Sequence, residues 1–203
     1  ISHIPNLAEV FKAIKQVLHK DGVFVFEDPY ILSVIKNCSY DQFYDEHAHV
    51  FSLMSVSNLI KEFDLNVIDI QKLKTHGGSL RYFISHKNSK YKVKNIVNEC
   101  LLKEKKYKLN KISTYIKFGL KVKESKIAIR KLLLSIKEKG KKIVSYGATY
   151  KSATIFNYCK VDNKLIDYVI DTTKNKQNKY TPGSHLKIFS PQKQPLKKVD
   201  YYF

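Results

Sequence analysis

The chain has 203 residues, 43% of them hydrophobic, and a formal net charge of +19. That length and composition allow one large domain or two small ones around a buried core, and no apolar run approaches the ~18 residues of a membrane-spanning helix. The charge raises nucleic-acid binding as a class, but Arg81 and Arg130 are the only arginines among 37 Lys and Arg, and the lysines are spread along the whole chain; bidentate recognition of phosphates and base edges favours arginine.

Asn6 is placed to cap a helix, with Glu9 three residues later for a capping box. Leu7, Val10, Phe11, Ile14, Val17 and Leu18 then recur at helical spacing until Asp21-Gly22. Val23 to Phe26 is a continuous apolar run, as expected of a parallel strand covered on both faces. Glu27-Asp28-Pro29 ends it, and ligands of open α/β sheets bind beyond such carboxyl ends.

The next stretch, Gln42-Phe43-Tyr44-Asp45-Glu46-His47-Ala48-His49-Val50-Phe51-Ser52, mixes a phenol, carboxylates, imidazoles and apolar residues. A solvated loop does not need Phe43, Val50 and Phe51, and a core segment does not need Asp45, Glu46 and His47. The mixture describes a pocket wall, apolar to exclude water and polar where it meets a ligand. Glu46 beside His47 suits an imidazole that moves a proton near neutral pH. The plainer alternative is a histidine hydrogen-bonded in a buried turn.

Ser55 is expected to cap a helix with Val56, Leu59, Ile60 and Phe63 on its inner face. Val67 to Leu73 and Leu80 to Ser85 read as strands, joined by a Thr75-to-Ser79 turn short enough for an antiparallel pair. Residues 90–139 are Lys-rich and contain no proline. Two helices are expected there, the second with Ile129, Leu132, Leu133 and Ile136 on one stripe and Gly140 past its end. Ile143 to Tyr146, Tyr150 to Tyr158 and Ile166 to Ile170 then read as strand, helix and strand, ending at Asp171. That is a Rossmann-like half without the full G-x-G-x-x-G, in which Lys151 and the helix N-terminus suit a phosphate. The domains expected are residues 1–86, a helical bridge at 87–140, and residues 141–203. Cys38, Cys100 and Cys159 are far apart and form no C-x-x-C pair, which suits reduced thiols, a cytoplasmic setting and no zinc site within this chain.

Tyr44-x-Glu46-His47, then His76-Gly77-Gly78-Ser79-Leu80-Arg81, then Tyr146-Gly147-Ala148-x-x-Lys151 with Lys176-Gln177-x-x-Tyr180-x-Pro182-Gly183-Ser184-His185, together resemble the sugar C-methyltransferases in order and spacing. Ser184 stands where many relatives have Thr. The resemblance implies an α/β chain: the second half of a methyltransferase sheet with a reversed last strand, then a Rossmann-like unit. It implies methyl transfer from S-adenosylmethionine to a carbon beside the ketone of a nucleotide-linked keto-sugar, through an enolate. That chemistry needs a base, an oxyanion partner and an in-line methyl. His47 is the base expected, Glu46 orients the imidazole or binds a sugar hydroxyl, and Tyr44 and His3 donate to the oxyanion. His76, Gly77, Gly78, Ser79, Arg81, Lys151, Lys176 and His185 are expected on the substrate, although a plain Gly-Gly turn with Arg81 paired to a carboxylate also fits 75–81. The family's amino-terminal zinc module and cofactor glycine loop are not in this sequence. With no initiator Met and a carboxyl end that reads as a strand cut short, the chain is expected to be a segment of a longer protein.

Two other classes remain open on the residues alone. Glu46, His47, His49 and His76 are metal-ligand types. The basic charge admits a nucleic-acid-binding module.

Overall fold

Asn6 starts the first helix as its side chain predicts: its Oδ1 accepts from the Glu9 backbone N–H at 3.3 Å. The helix, α1 (Leu7–Val17), buries Leu7 and Phe11. It leads into β1 (Phe24–Pro29), followed by a short helix, α2 (Ile31–Asn37), that the sequence reading did not foresee. After the 42–52 stretch come α3 (Leu53–Lys61), β2 (Leu65–Leu73) and β3 (Ser79–His86). The Lys-rich region forms α4 (Asn95–Lys106) and α5 (Ile112–Glu138). The remainder is β4 (Ile143–Tyr146), α6 (Tyr150–Cys159), β5 (Tyr168–Ile170), β6 (Ile188–Phe189) and β7 (Tyr201–Tyr202). This computed structural model describes residues 1–192 and 199–203. It divides into two units, 1–119 and 120–203.

In the first unit the strand order is β1-β3-β2, with β3 antiparallel to both neighbours. The last strand is therefore reversed, as expected, and it inserts between its predecessors. The apolar β1 run suggested a parallel strand, but among the described residues its partner is antiparallel β3, and Val25 is 44% exposed. Aromatic packing fixes this sheet. The rings of Phe26 and Tyr82 stack across β1 and β3 with centroids 4.6 Å apart, and Phe11 and Phe51 pack edge-on to Phe26. Each such buried ring contributes about 1.5–3 kcal/mol.

Residues 87–140 do not stand apart as a bridge. Val97, Cys100 and Leu109 join the core of the first unit, and the division falls at Gly119 within α5. On the expected stripe of α5, Leu133 is buried but Leu132 is 60% exposed. In the second unit the order is β6-β5-β4-β7, all parallel. α6 begins on a reciprocal Thr149–Ser152 capping box. Its last carbonyls, Cys159 at 2.9 Å and Lys160, accept from Arg130 on α5. Among the described residues no helix is long and apolar enough to cross a membrane.

The start of α3 corrects the expected cap. Ser52, not Ser55, is the capping residue; Ser55 is its partner three positions on, and the two hydroxyls answer each other's backbone N–H groups. That leaves the N–H groups of Leu53 and Met54, which a helix cannot satisfy internally. Glu104 of α4 takes both, Oε1 from Leu53 at 2.6 Å and Oε2 from Met54 at 2.8 Å. Glu104 is wholly buried. Burial raises its pKa, opposed by the two backbone N–H groups.

A Glu104→Gln substitution replaces one acceptor by an N–H that faces another N–H. It should cost about 1–3 kcal/mol, read by urea unfolding. Because the folded pKa is raised, the folded state holds this proton more firmly than the unfolded state. The stability linked to that proton is present below the ordinary carboxylate range and lost as pH rises through the displaced pKa. The parent's advantage over the variant should therefore shrink as pH rises over that window.

Candidate active site

The Tyr44-to-His47 spacing is a turn. The His47 N–H bonds the Tyr44 carbonyl at 2.9 Å, an i to i+3 closure that lays the two rings together at 4.1 Å between centroids. The His47 ring is then fixed at both nitrogens. Nδ1 lies 2.7 Å from the Gln42 carbonyl, and Nε2 lies 2.8 Å from the Tyr44 hydroxyl. A carbonyl only accepts, so Nδ1 carries a proton, and in the neutral form of the ring Nε2 is the bare nitrogen. The Tyr44 hydroxyl therefore donates to it. Burial first, and the Glu46 carboxylate second, push the Tyr44 pKa up, so the phenol stays a donor.

The amino-terminal segment lies against this turn. The His49 N–H donates to the Ser2 carbonyl at 3.2 Å, and His49 Nε2 donates to the Pro5 carbonyl at 3.0 Å. The result is a His3 ring 5.2 Å from that of His47. His47 also lines a cavity of about 320 Å³ with Phe43, Val50, Ser52, Ser55 and Tyr115. Its walls are apolar apart from the imidazole and a few hydroxyls, the character of a small-ligand site.

Glu46 is exposed. With both His47 nitrogens engaged elsewhere, Glu46 does not orient the ring; of its two expected roles only the contact with a sugar hydroxyl remains. The four residues weighed as metal ligands do not converge. Both ring nitrogens of His47 and Nε2 of His49 are engaged as described, and no group of three or more His, Cys, Asp or Glu among the described residues is disposed to hold a metal.

The 75–81 loop joins this site through its backbone. Gln42 Nε2 donates to the His76 carbonyl at 2.9 Å, and Asn37 Nδ2 to the Gly77 carbonyl at 2.9 Å. The His76 imidazole is exposed. Other expected ligand groups here are spent within the fold. Arg81 pairs with Glu27 at 2.9 Å and bonds Gln71 at 3.1 Å, and Ser79 Oγ donates to the Thr75 carbonyl at 3.1 Å. The Thr75 hydroxyl donates to Glu27 at 2.6 Å, and this bond with the Arg81 contact lowers the Glu27 pKa. The close approach at Gly78 is to protein: a Cβ there would lie 2.5 Å from Ser33 Oγ, at φ +125°. The paired-arginine turn is thus what forms, with Gly78 shaped to α2 rather than to a ligand.

In the second unit Asp171 ends β5 as expected, but both its oxygens are occupied. Oδ2 accepts from the Ala148 N–H at 2.7 Å and Oδ1 from the Thr173 N–H at 2.7 Å. Lys176 Nζ donates to the Ala148 carbonyl at 2.7 Å and sits 3.6 Å from Asp171. The burial of Asp171 is outweighed by these N–H donors and the Lys176 charge, and its pKa is lowered. The acid that would hold a ribose in a dinucleotide fold here braces the Gly147 loop. Beside that loop lies a cleft of about 300 Å³ lined by Tyr150, Asn175, Lys176, Lys179 and Tyr180 among others. Lys151 and His185 are not in its lining. Neither loop fits as a cradle for S-adenosylmethionine.

Three residues that carry this geometry, Gln42, Glu104 and Tyr115, were given no role from sequence. Glu104 had a signal: it falls at helical spacing from Val97 and Cys100, on the stripe that is buried.

Gly78→Ala should cost about 2–4 kcal/mol, from a strained φ and a forced shift of Ser33. Adding Ser33→Gly should recover the steric part and leave the strain, a coupling that a double-mutant cycle in urea measures.

Residues 74–203 match the family described as C-methyltransferase C-terminal domain, and residues 1–70 match a methyltransferase domain. The C-methyltransferase NovU of Streptomyces niveus is 32% identical over 201 residues, covering 99% of this chain. The chain spans about half the length of that relative, 48%. The reversed last strand and the parallel second sheet accord with these matches, and the chain belongs to the C-methyltransferase family.

Proposed function

We propose that the protein transfers a methyl group from S-adenosylmethionine to a carbon beside the ketone of a nucleotide-linked keto-sugar. The residues of this chain supply the proton chemistry and hold the sugar. The observation that carries this is the His47 ring, tied at Nδ1 to a main-chain carbonyl and bare at Nε2 beside a phenol. A neutral imidazole so fixed is a general base. The family membership and the relative's name, a C-methyltransferase, support carbon as the acceptor.

The cavity beside His47 takes the sugar ring. There the ketone oxygen competes with Nε2 for the Tyr44 hydroxyl. When Tyr44 turns to donate to the ketone, one exchange does two things. It polarises the carbonyl, and it frees the Nε2 lone pair to take the proton from the neighbouring carbon. His3, next to His47, adds a donor to the oxyanion, and Glu46 receives a sugar hydroxyl. The His76 imidazole, on a loop pinned by Gln42 and Asn37, meets the substrate further out. Methyl donation is the chemistry that S-adenosylmethionine supplies when bound.

Taken by itself, the second unit's cleft carries groups suited to a nucleotide. Tyr150 and Tyr180 offer faces for a base, and Lys179 offers a cation for the diphosphate. Lys176 contributes only what its bonds to Ala148 and Asp171 leave over. Lys151 and His185 would act at the margin of that cleft.

Proton removal is separable from methylation. The full-length protein, incubated with a nucleotide-linked keto-sugar in deuterated water without a competent methyl donor, should exchange the hydrogen beside the ketone. His47→Gln keeps size and hydrogen bonding but is not a base near neutral pH, and it should lose about 10²–10⁴-fold in exchange rate. Exchange at the parent rate in that variant would assign the base elsewhere.

A further inference from the structure

Gln42 ends the 3-10 turn Tyr40–Gln42 and is 2% exposed. Its two polar ends serve different partners. The main-chain carbonyl accepts from His47 Nδ1, and the side-chain Nε2 donates to the His76 carbonyl. Its remaining atom, Oε1, is buried and accepts no hydrogen bond among the described residues. A buried acceptor left unpaired costs stability, so an apolar side chain of the same length would pack here at no such cost. Packing does not account for the amide; the bond to His76 does.

That bond matters because of what holds the carbonyl. The backbone at this point is secured by the closures of a single tight turn, Gln42 N–H to Ser39 at 3.2 Å and Phe43 N–H to Tyr40 at 3.1 Å. A carbonyl at the end of such a turn is free to swing unless a side chain anchors its residue. Gln42 anchors it to the 75–77 loop, which Asn37 ties independently to the end of α2.

We propose that Gln42 is the positioning residue of the site: its amide holds the main-chain carbonyl on His47 Nδ1 and so decides which imidazole nitrogen is bare. The same bond sets the spacing between His47 and the His76 loop. This rests on the reading of His47 as the base, but its first test does not.

The test is ¹⁵N NMR of histidine-labelled protein at mildly alkaline pH, where imidazoles are neutral. His47 is assigned by the loss of its signals in His47→Gln. The parent should show a protonated Nδ1 and a bare Nε2. In Gln42→Met, which keeps length and packing, the two His47 signals should move toward each other as the tautomers mix. The melting temperature should stay near the parent's, because removal of the unpaired acceptor offsets the lost bond to His76. Asn37→Ala, which loosens the same loop one bond further from the 42–47 turn, should move the His47 signals less than Gln42→Met does. If the His47 signals of Gln42→Met match the parent's, the proposal is overturned, whatever the stability does. Melting well below the parent in Gln42→Met, with Asn37→Ala moving His47 equally, would assign Gln42 to general scaffolding and also overturn it. In the full-length protein, hydrogen exchange beside the ketone should fall by about 10–10²-fold in Gln42→Met. Mixed tautomers with unchanged exchange would place the failure in the reading of His47 rather than in the role of Gln42.

Discussion

The start of α3 is the constraint on which the first unit depends. It lies inside the protein, and a buried helix start exposes N–H groups that water does not reach. Ser52 answers one and Glu104 answers two, from a helix about fifty residues further along the chain. A charged carboxyl is a good partner there, since the helix dipole favours negative charge at that end. The cost is its own desolvation, which shows in its raised pKa. Through this contact α4 closes over the sheet, and the segment before Ser52, which carries His47, acquires a fixed end.

The site itself is an exercise in satisfying one imidazole. A neutral histidine has one donor and one acceptor nitrogen, and a main-chain carbonyl chooses between them without ambiguity. No carboxylate is needed for this: the two ring nitrogens of His47 are met by the Gln42 carbonyl and the Tyr44 hydroxyl. The acidic residue beside it in sequence, Glu46, is consequently left exposed. In the second unit, by contrast, the acid at the end of β5 has been turned inward. Asp171 and Lys176 together lock the Gly147 loop against the sheet. A Rossmann-like order of elements has here been kept while its usual ribose contact has been spent on the scaffold.

The elements were largely legible in the sequence, because the signals that define them are local. The α1 cap, the apolar runs of β2 to β5 and the loop at 147–149 all follow from spacing within a few residues. The failures were also physical. α2 hides between an Asp-Pro and the polar stretch and is too short for a periodic pattern. Ser52 and Ser55 both look like caps, and which one starts the helix depends on backbone angles that the two share out. Arg81 could face a substrate or a carboxylate, and the register of β1 against β3 places Glu27 directly across from it.

By itself the sequence determined most of the helices and strands in their order, α2 and β6 apart, and the family its motifs resemble. These rest on neighbours three or four residues apart, whose geometry the chain carries wherever it goes. Tertiary structure alone decided which nitrogen of His47 is bare, that Glu104 caps a distant helix, and that Asp171, Lys176, Ser79 and Arg81 serve the fold first. Each of those outcomes depends on which donor meets which acceptor once the chain is folded. A sequence lists the hydrogen-bonding groups, but only burial, by removing water as the alternative partner, forces each of them to choose.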